Sequence, residues 1–254
     1  MLPYILQRFL ILFSASSSDQ EMSMTVPQLI QWWGYPIESH EVTTKDGYIL
    51  TIFRIAHGFN QSGSDCNRPP ILIDHSLLCD GSEFVLNSPQ SSPALILANA
   101  GFDVFLMNHR GTTYSRKHRD FNTTDARFWK FTMDEHAKYD NLAVIDYILE
   151  ETRENSLYWL GHSQGALLGF MMLSNRPDYN DKIRAMFQVA PPGTAHYAKG
   201  FWRFVFFIYR IFKPFHDFYR ISIGSHEVGM ANRLIPQIIT RIFCATPFIN
   251  QANQ

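Results

Sequence analysis

The sequence predicts an α/β fold, with a mostly parallel sheet covered by helices on both faces. Three observations lead there. From residue 71 onward, short apolar runs alternate with segments of helical spacing, as strands joined by crossover helices do. Before that, two strand-like runs flank an Asp-Gly turn and read as a hairpin. Finally, the pentapeptide Gly161-His162-Ser163-Gln164-Gly165 stands between an apolar strand and a helix.

In chain order, residues 19–35 form a short lead-in with a helix over 26–33. Strand patterning starts near His40: 41–44 and 48–55 flank Lys45-Asp46-Gly47. Residues 58–70, rich in Gly, Ser, Asn and Pro, form a loop. Strand 71–73 follows, then a helix over 93–100, Gly101 and strand 104–107. The spacing predicts one helix over 134–151, with Tyr139, Leu142, Ile145 and Leu149 on its buried face. Strand 157–160, buried helix 166–175 and strand 186–189 complete the alternation. After Pro191-Pro192 the character changes. Residues 199–219 are crowded with aromatics and interrupted by Arg203, Arg210 and Lys213. They predict a helical insert over the carboxyl edge of the sheet, too charged for a membrane span. An interfacial helix, a lid and a dimer surface all fit it.

The 254 residues suffice for one α/β domain, or one with an insert. Lys plus Arg (22) balances Asp plus Glu (23), and no basic stripe exists, so nucleic acid is excluded as a partner. The 21 Phe, many of them late in the chain, suit an apolar ligand or surface, and equally a Phe-rich core. Cys66, Cys79 and Cys244 form no CxxC pair and have no histidine at metal-ligand spacing, so no metal is expected. One disulfide with a free thiol and three thiols both fit. Residues 1–18 read as a signal peptide: an apolar stretch follows Arg8 and runs into Ser14-Ala15-Ser16. The stretch falls short of the about 20 residues that a transmembrane helix needs. Two glycosylation acceptors, Asn60-Gln61-Ser62 and Asn122-Thr123-Thr124, fit secretion.

The pentapeptide carries the chemistry. It fits G-x-S-x-G in a strand-turn-helix context, where glycines let the backbone pass close by and Ser163 takes a strained conformation. Its hydroxyl then stands at a helix N-terminus that favours developing negative charge. Ser163 is the candidate nucleophile; the bland alternative is a tight Gly-Ser turn without chemistry. The N–H of Gln164 is one candidate oxyanion donor. Leu77, in the loop after strand 71–73, is the other. A serine hydroxyl needs a base and an orienting acid, which in this arrangement follow the serine in the order acid, then histidine. No further clear strand of that kind follows 186–189. His196, His216, His226, Asp178, Asp181, Asp217 and Glu227 read as solvated or structural residues. No triad acid or histidine is therefore expected in this chain.

Over about residues 25–195 the sequence resembles the acid lipase family of animal gastric and lysosomal lipases. The resemblance starts at Trp33-Gly34-Tyr35-Pro36 and Thr44-Lys45-Asp46-Gly47-Tyr48-Ile49-Leu50. It continues through His75 with Leu77-Leu78, Arg110-Gly111, Phe128-Trp129 and Lys138-Tyr139-Asp140, and ends at 161–165. It implies an α/β-hydrolase fold with a helical cap, and hydrolysis of fatty-acyl esters such as acylglycerols or cholesteryl esters at a lipid–water interface. It also implies secretion or lysosomal delivery and no cofactor. Ser163 carries over as nucleophile, Leu77 and Gln164 as oxyanion donors. Three departures stand out. Ser76 replaces a glycine after His75, and Cys79-Asp80-Gly81 replaces a segment with paired serines. The third is that the chain ends inside the cap. The expected division is a signal peptide (1–18), an α/β-hydrolase core (19–195) and a partial helical cap (196–254). The last strands are missing and an apolar sheet edge is left unpaired. Two other classes remain open: a non-catalytic lipid-binding relative, and an interaction protein whose aromatic insert docks on a membrane or partner.

Overall fold

The computed structural model describes residues 21, 24–59, 61 and 68–193, and helical positions 203, 207, 210, 211 and 214. The chain divides into two units. One is Thr25–His226; the other is Met1–Met24 with Glu227–Gln254. Of the second, only Glu21 and Met24 are described, joined by a Met24 N–H to Glu21 O bond of 3.1 Å. The expected signal peptide, Asn60, Cys66 and Cys244 lie outside the described residues. So does the expected cap, apart from the helical positions just named. At those positions Arg203, Phe207, Arg210, Ile211 and Pro214 are exposed.

The first unit is built on one sheet, which holds seven strands among the described residues. They are β1 (Glu38–Thr43), β2 (Tyr48–Ile55), β3 (Pro70–Asp74), β4 (Asp103–Leu106), β5 (Lys117–His118), β6 (Leu157–His162) and β7 (Ile183–Val189). The order is β1-β2-β4-β3-β6-β7, with β5 beside β2. The β1–β2 hairpin is antiparallel, with Val42 opposite Leu50. Its turn closes through Gly47 N–H to Thr44 O (3.0 Å), and Gly47 has φ 100°, which is why glycine stands there. β2 also runs antiparallel to β4, whereas β4, β3, β6 and β7 are mutually parallel. The expected mostly parallel sheet is what forms. The two-residue strand β5 has no counterpart in the sequence reading, because a pairing this short has no periodicity to detect.

Alternation along the central strands feeds two cores. Leu72, Phe105 and Trp159 point to one face, where they pack with residues of α3 (Asn141–Thr152) and α4 (Gln164–Asn175). Ile71, Ile73, Val104 and Leu106 point to the other, against α1 (Val26–Trp32) and α2 (Pro93–Asn99). Period-2 exposure to two covered faces explains why all five residues of β3 are buried. α1 starts where the sequence marks it. Thr25 and Gln28 form a capping box on either side of Val26-Pro27.

The single helix expected over 134–151 is instead three pieces. Met133–Glu135 is one α turn, with Thr132 and Glu135 as its capping box. His136–Asp140 is π-helical, and α3 follows. The wider π turn changes the angular spacing, so a 3.6-residue stripe drawn from Tyr139 does not continue along the helix. The fully buried face is Val144, Ile145 and Ile148, with Leu142 at 9% exposure; Tyr139 and Leu149 lie at its half-buried margins. At the other side of the sheet, β7 is the last strand among the described residues. Phe187 and Val189 are each about half exposed there.

Candidate active site

β6 ends at His162 and α4 begins at Gln164, so the whole reversal from strand to helix falls on Ser163. Its φ of 50° with ψ of −107° is a conformation L-residues rarely hold, with a strain of roughly 1–3 kcal/mol. The turn is pinned by Ser163 N–H to Val189 O (2.9 Å) and Leu167 N–H to Ser163 O (3.1 Å). The flanking glycines are required by space. A Cβ on Gly161 would lie 2.7 Å from the backbone of Ala166, and one on Gly165 would lie 2.4 Å from Asp74 O. Gly165 N–H also donates to His75 O at 3.1 Å. The first turn of α4 is thereby laid directly on the end of β3.

Backbone atoms cannot swing aside, so Gly165→Ala must push α4 off β3. The expected loss is about 3 kcal/mol of unfolding free energy, the upper end of ordinary overpacking. Urea denaturation followed by circular dichroism measures it. A variant with the parental midpoint would contradict this packing.

β3 and β6 are adjacent and parallel, with Asp74 opposite Gly161, so the segments after them leave the same edge of the sheet. One begins with Ser163 and Gln164. The other is the turn Ser76-Leu77-Leu78-Cys79, closed by Cys79 N–H to Ser76 O (3.2 Å). Its third residue, Leu78, has φ 65° and is 81% exposed; Leu77 is 56% exposed. Among the described residues, neither Leu77 N–H nor Gln164 N–H has an acceptor within the protein, and Ser163 Oγ makes no hydrogen bond. Ser163 is half-buried. At the two departures from the family pattern, Ser76 extends the turn by a side chain and Asp80 caps the 3₁₀ turn Gly81–Phe84 through Ser82 N–H (3.0 Å). Cys79 is free and exposed.

Beneath this edge lies a buried polar cluster that the sequence reading missed. His109 Nε2 meets Asp74 Oδ1 at 2.7 Å. Its Nδ1 is 3.5 Å from Asp140 Oδ2, too long for a hydrogen bond, so that attraction is electrostatic. The His109 N–H donates to His75 Nε2 (3.3 Å), and His75 Nδ1 pairs with Ser76 O (2.9 Å), just before Leu77. His136 stacks on His109 with centroids 4.7 Å apart, and its Nδ1 lies 3.4 Å from the Gln164 side-chain Nε2. Arg110 closes the cluster. It donates Nε–H to Asp140 Oδ1 (2.8 Å) and reaches Asp46 through Nη1 (2.6 Å) and Nη2 (2.9 Å). Asp74, His75 and His109 offer ligand-type atoms within 4.8 Å of one another, a grouping that residue spacing does not announce. The hydrogen bonds just given already engage those side chains.

The charges in the cluster alternate. Burial opposes a charge on His109, but Asp74 and Asp140 outweigh it and raise its pKa to about 9. Burial and the neighbouring His109 cation hold His136 down at about 3. Burial, then the same cation, also lowers His75. Burial opposes the Asp140 charge too, yet His109 and Arg110 keep its carboxyl below the usual range. The His109 and His136 shifts have opposite consequences for stability, and the lowered His75 acts in the same sense as His136. The raised His109 stabilises the fold fully below about 6.5, and that contribution is lost as pH rises to about 9. The depressed His136 opposes folding as pH falls from about 6.5 toward 3, where the unfolded chain takes up a proton and the folded one does not. His136→Phe, which keeps a stackable ring, is expected to flatten the acid limb of melting temperature against pH while leaving the alkaline limb in place. Scanning calorimetry between pH 4 and 9 measures both; an unchanged acid limb would contradict the assignment.

Of the other residues considered from sequence, Asp178 and Asp181 lie in the 3₁₀ turn before β7, at the edge of the sheet opposite Ser163. Asp178 pairs with Arg176 at 2.6 Å in solvent. His196, His216, His226, Asp217 and Glu227 lie outside the described residues.

Residues 26–88 match a family described as a partial alpha/beta-hydrolase lipase region, and residues 69–209 match the alpha/beta hydrolase fold. The chain is 41% identical over 184 residues to lipase member K of Homo sapiens, covering 72% of this chain and 46% of that protein. It is 44% identical over 191 residues to lipase lipl-3 of Caenorhabditis elegans, covering 74% and 47%. With gastric triacylglycerol lipase of Rattus norvegicus the identity is 37% over 223 residues, covering 83% and 56%. The chain thus spans about half the length of the curated relatives it matches. With a strained serine between two space-required glycines at the carboxyl edge of a parallel sheet, and with these matches, the chain belongs to the α/β-hydrolase fold family, in its acid lipase branch.

Proposed function

We propose that this chain supplies the nucleophile and the oxyanion donors of a serine ester hydrolase acting on fatty-acyl esters, of the triacylglycerol or cholesteryl ester kind. The observation that carries the reading is Ser163 itself: φ 50°, half-buried, its Oγ uncommitted, at the N-terminus of α4. In that role Oγ attacks the ester carbonyl while a base takes its proton, and the C–O bond to the alcohol breaks as the acyl-serine forms. The uncommitted N–H groups of Gln164 and Leu77 are the donors for the oxyanion. Among the described residues no side chain hydrogen-bonds to Oγ. The imidazoles of His75 and His136 are held in the buried cluster, and neither hydrogen-bonds to Oγ. The relatives named as gastric triacylglycerol lipases support a lipid ester as substrate. The leader-like residues 1–18 and the exposed acceptor Asn122 support a glycosylated protein that is secreted or delivered to lysosomes. The aromatic segment 199–219 supports contact with a lipid–water interface, and no cofactor enters the reaction as written.

The test is reaction of the purified, folded protein with a serine-directed fluorophosphonate, alongside hydrolysis of a short-chain chromogenic ester. The adduct is expected on the peptide that contains Ser163. An adduct mapped to another residue, with ester turnover retained, would sink the assignment.

A further inference from the structure

Glu83 belongs to the 3₁₀ turn Gly81–Phe84, seven residues beyond Ser76, and its side chain is only 17% exposed. Its Oε2 accepts the Ser76 N–H at 2.7 Å. Its Oε1 meets His162 Nδ1. Ser76 is the residue immediately before Leu77, and His162 is the residue immediately before Ser163. One carboxylate therefore joins the backbone leading to the Leu77 donor with the strand end that presents the nucleophile. We propose that Glu83 is a positioning residue that sets the Leu77 turn against the Ser163 elbow. The proposal rests on the reading of Ser163, Gln164 and Leu77 given above and adds a residue to it.

The argument is one of constraint. An oxyanion donor acts only if it is already aimed at the place where charge develops. The Leu77 turn has little packing of its own to aim it: Leu77 and Leu78 are exposed, and Leu78 sits at a positive φ that leucine adopts only at a cost in strain. Gly165 N–H holds the chain as far as His75 O, and the Cys79–Ser76 bond lies inside the turn itself. Between those two points the Ser76 N–H is held by Glu83, and the Ser76 carbonyl by His75 Nδ1 (2.9 Å), a neighbour in the chain; of the two, only Glu83 ties the turn to a separate element. The Ser76–Glu83 bond is charge-assisted, and so stronger than a neutral one. The 3₁₀ turn bearing Glu83 is anchored without it, by Asp80 on Ser82 N–H, by Gly81 N–H on Asn108 Oδ1 (2.8 Å), and by the buried Phe84 and Val85. Loss of the carboxylate then loosens the Leu77 turn and leaves the element that carries residue 83 in place.

Glu83→Ala and Glu83→Gln separate positioning from a general structural role. A glutamine amide still accepts from Ser76 N–H through its oxygen, and its NH2 replaces the accepting Oε1 by donating to His162 Nδ1 once the imidazole carries its proton on Nε2, whereas alanine does neither. For a short-chain chromogenic ester, Glu83→Ala is expected to lower kcat about 10–100-fold, below the loss from deleting a donor outright, with KM within about 2-fold of the parent. Glu83→Gln is expected to restore most of that kcat. Amide hydrogen exchange is expected to accelerate across residues 75–79 in Glu83→Ala and not in Glu83→Gln, with the melting temperature of both close to the parent's. Unchanged exchange at 75–79 in Glu83→Ala overturns the proposal, as does a uniform rise in exchange over the whole sheet. The exchange readout needs no turnover. Turnover that survives Ser163→Ala well above the residual level supplied by the oxyanion donors and binding would remove the nucleophile reading while leaving the exchange result to decide the tether.

Discussion

Ser163→Ala is expected to remove all ester hydrolysis above the residual level that the oxyanion donors and binding supply, while leaving the circular dichroism spectrum and melting temperature near the parent's. The hydroxyl makes no hydrogen bond among the described residues, so its removal leaves no buried group unpaired. The backbone strain at φ 50° is shared by alanine and serine. The size of the loss reports what else the chain contains. Where a complete triad operates, removal of the serine lowers kcat by about 10⁶-fold. Where the base is absent, the parent itself stands only roughly 10³–10⁴-fold above water, through the oxyanion donors and binding, and the substitution changes little. A large drop would therefore mean that a base reaches Oγ from outside the described residues, with His196, His216 and His226 the next to be substituted. A folded parent with only trace turnover would mean that the family chemistry is named correctly and this polypeptide does not perform it. Initial rates over two decades of ester concentration, for parent and variant together, distinguish the cases.

Arg110→Ala is expected to be the most destabilising single substitution at the site, by about 3–5 kcal/mol, because it leaves buried carboxylate charge uncompensated. The Asp140 side chain is fully buried, as is Arg110 itself, and Asp46 is 26% exposed. Arg110 Nε and Nη2 both reach Asp140 Oδ1, while Nη1 and Nη2 hold Asp46 at the hairpin turn. The guanidinium also lies 3.9 Å from the centroid of Tyr48, adding a cation–π contact. Arg110→Lys is not expected to rescue, since one ammonium cannot span two carboxylates with the geometry of a planar fork. Asp140→Asn combined with Arg110→Met is expected to recover part of the loss, because it removes the stranded charge with its partner. Guanidinium chloride midpoints for the three variants test this. Equal midpoints for Arg110→Ala and the parent would show that the cluster contributes nothing to stability.

The pentapeptide and its neighbours were legible because each constraint there is local. A G-x-S-x-G run between an apolar strand and a helix already implies tight backbone passage, and the structure gives the reason in two near-contacts, Gly161 with Ala166 and Gly165 with Asp74. The order of strands and helices was legible for the same reason: strand and helix periods repeat within a few residues. The Asp-Gly hairpin is likewise short-range. Besides the two-residue strand β5, two larger features were not legible. The helix expected over 134–151 broke into three because a π turn at His136–Asp140 changes the angular spacing without changing composition. The polar cluster under the elbow joins residues 46, 74, 75, 109, 110, 136 and 140, which come from the hairpin turn, the ends of two strands and a π turn. No spacing rule connects them.

The sequence by itself determined the parallel sheet, the elbow and the residue at its tip, since all three depend on neighbours in the chain. Only the tertiary structure decided which carboxylate faces which imidazole, and that Glu83 reaches both Ser76 and His162. Those contacts exist because parallel pairing sets the end of β3 beside the end of β6, so that side chains 79 residues apart in the chain meet at one edge of the sheet.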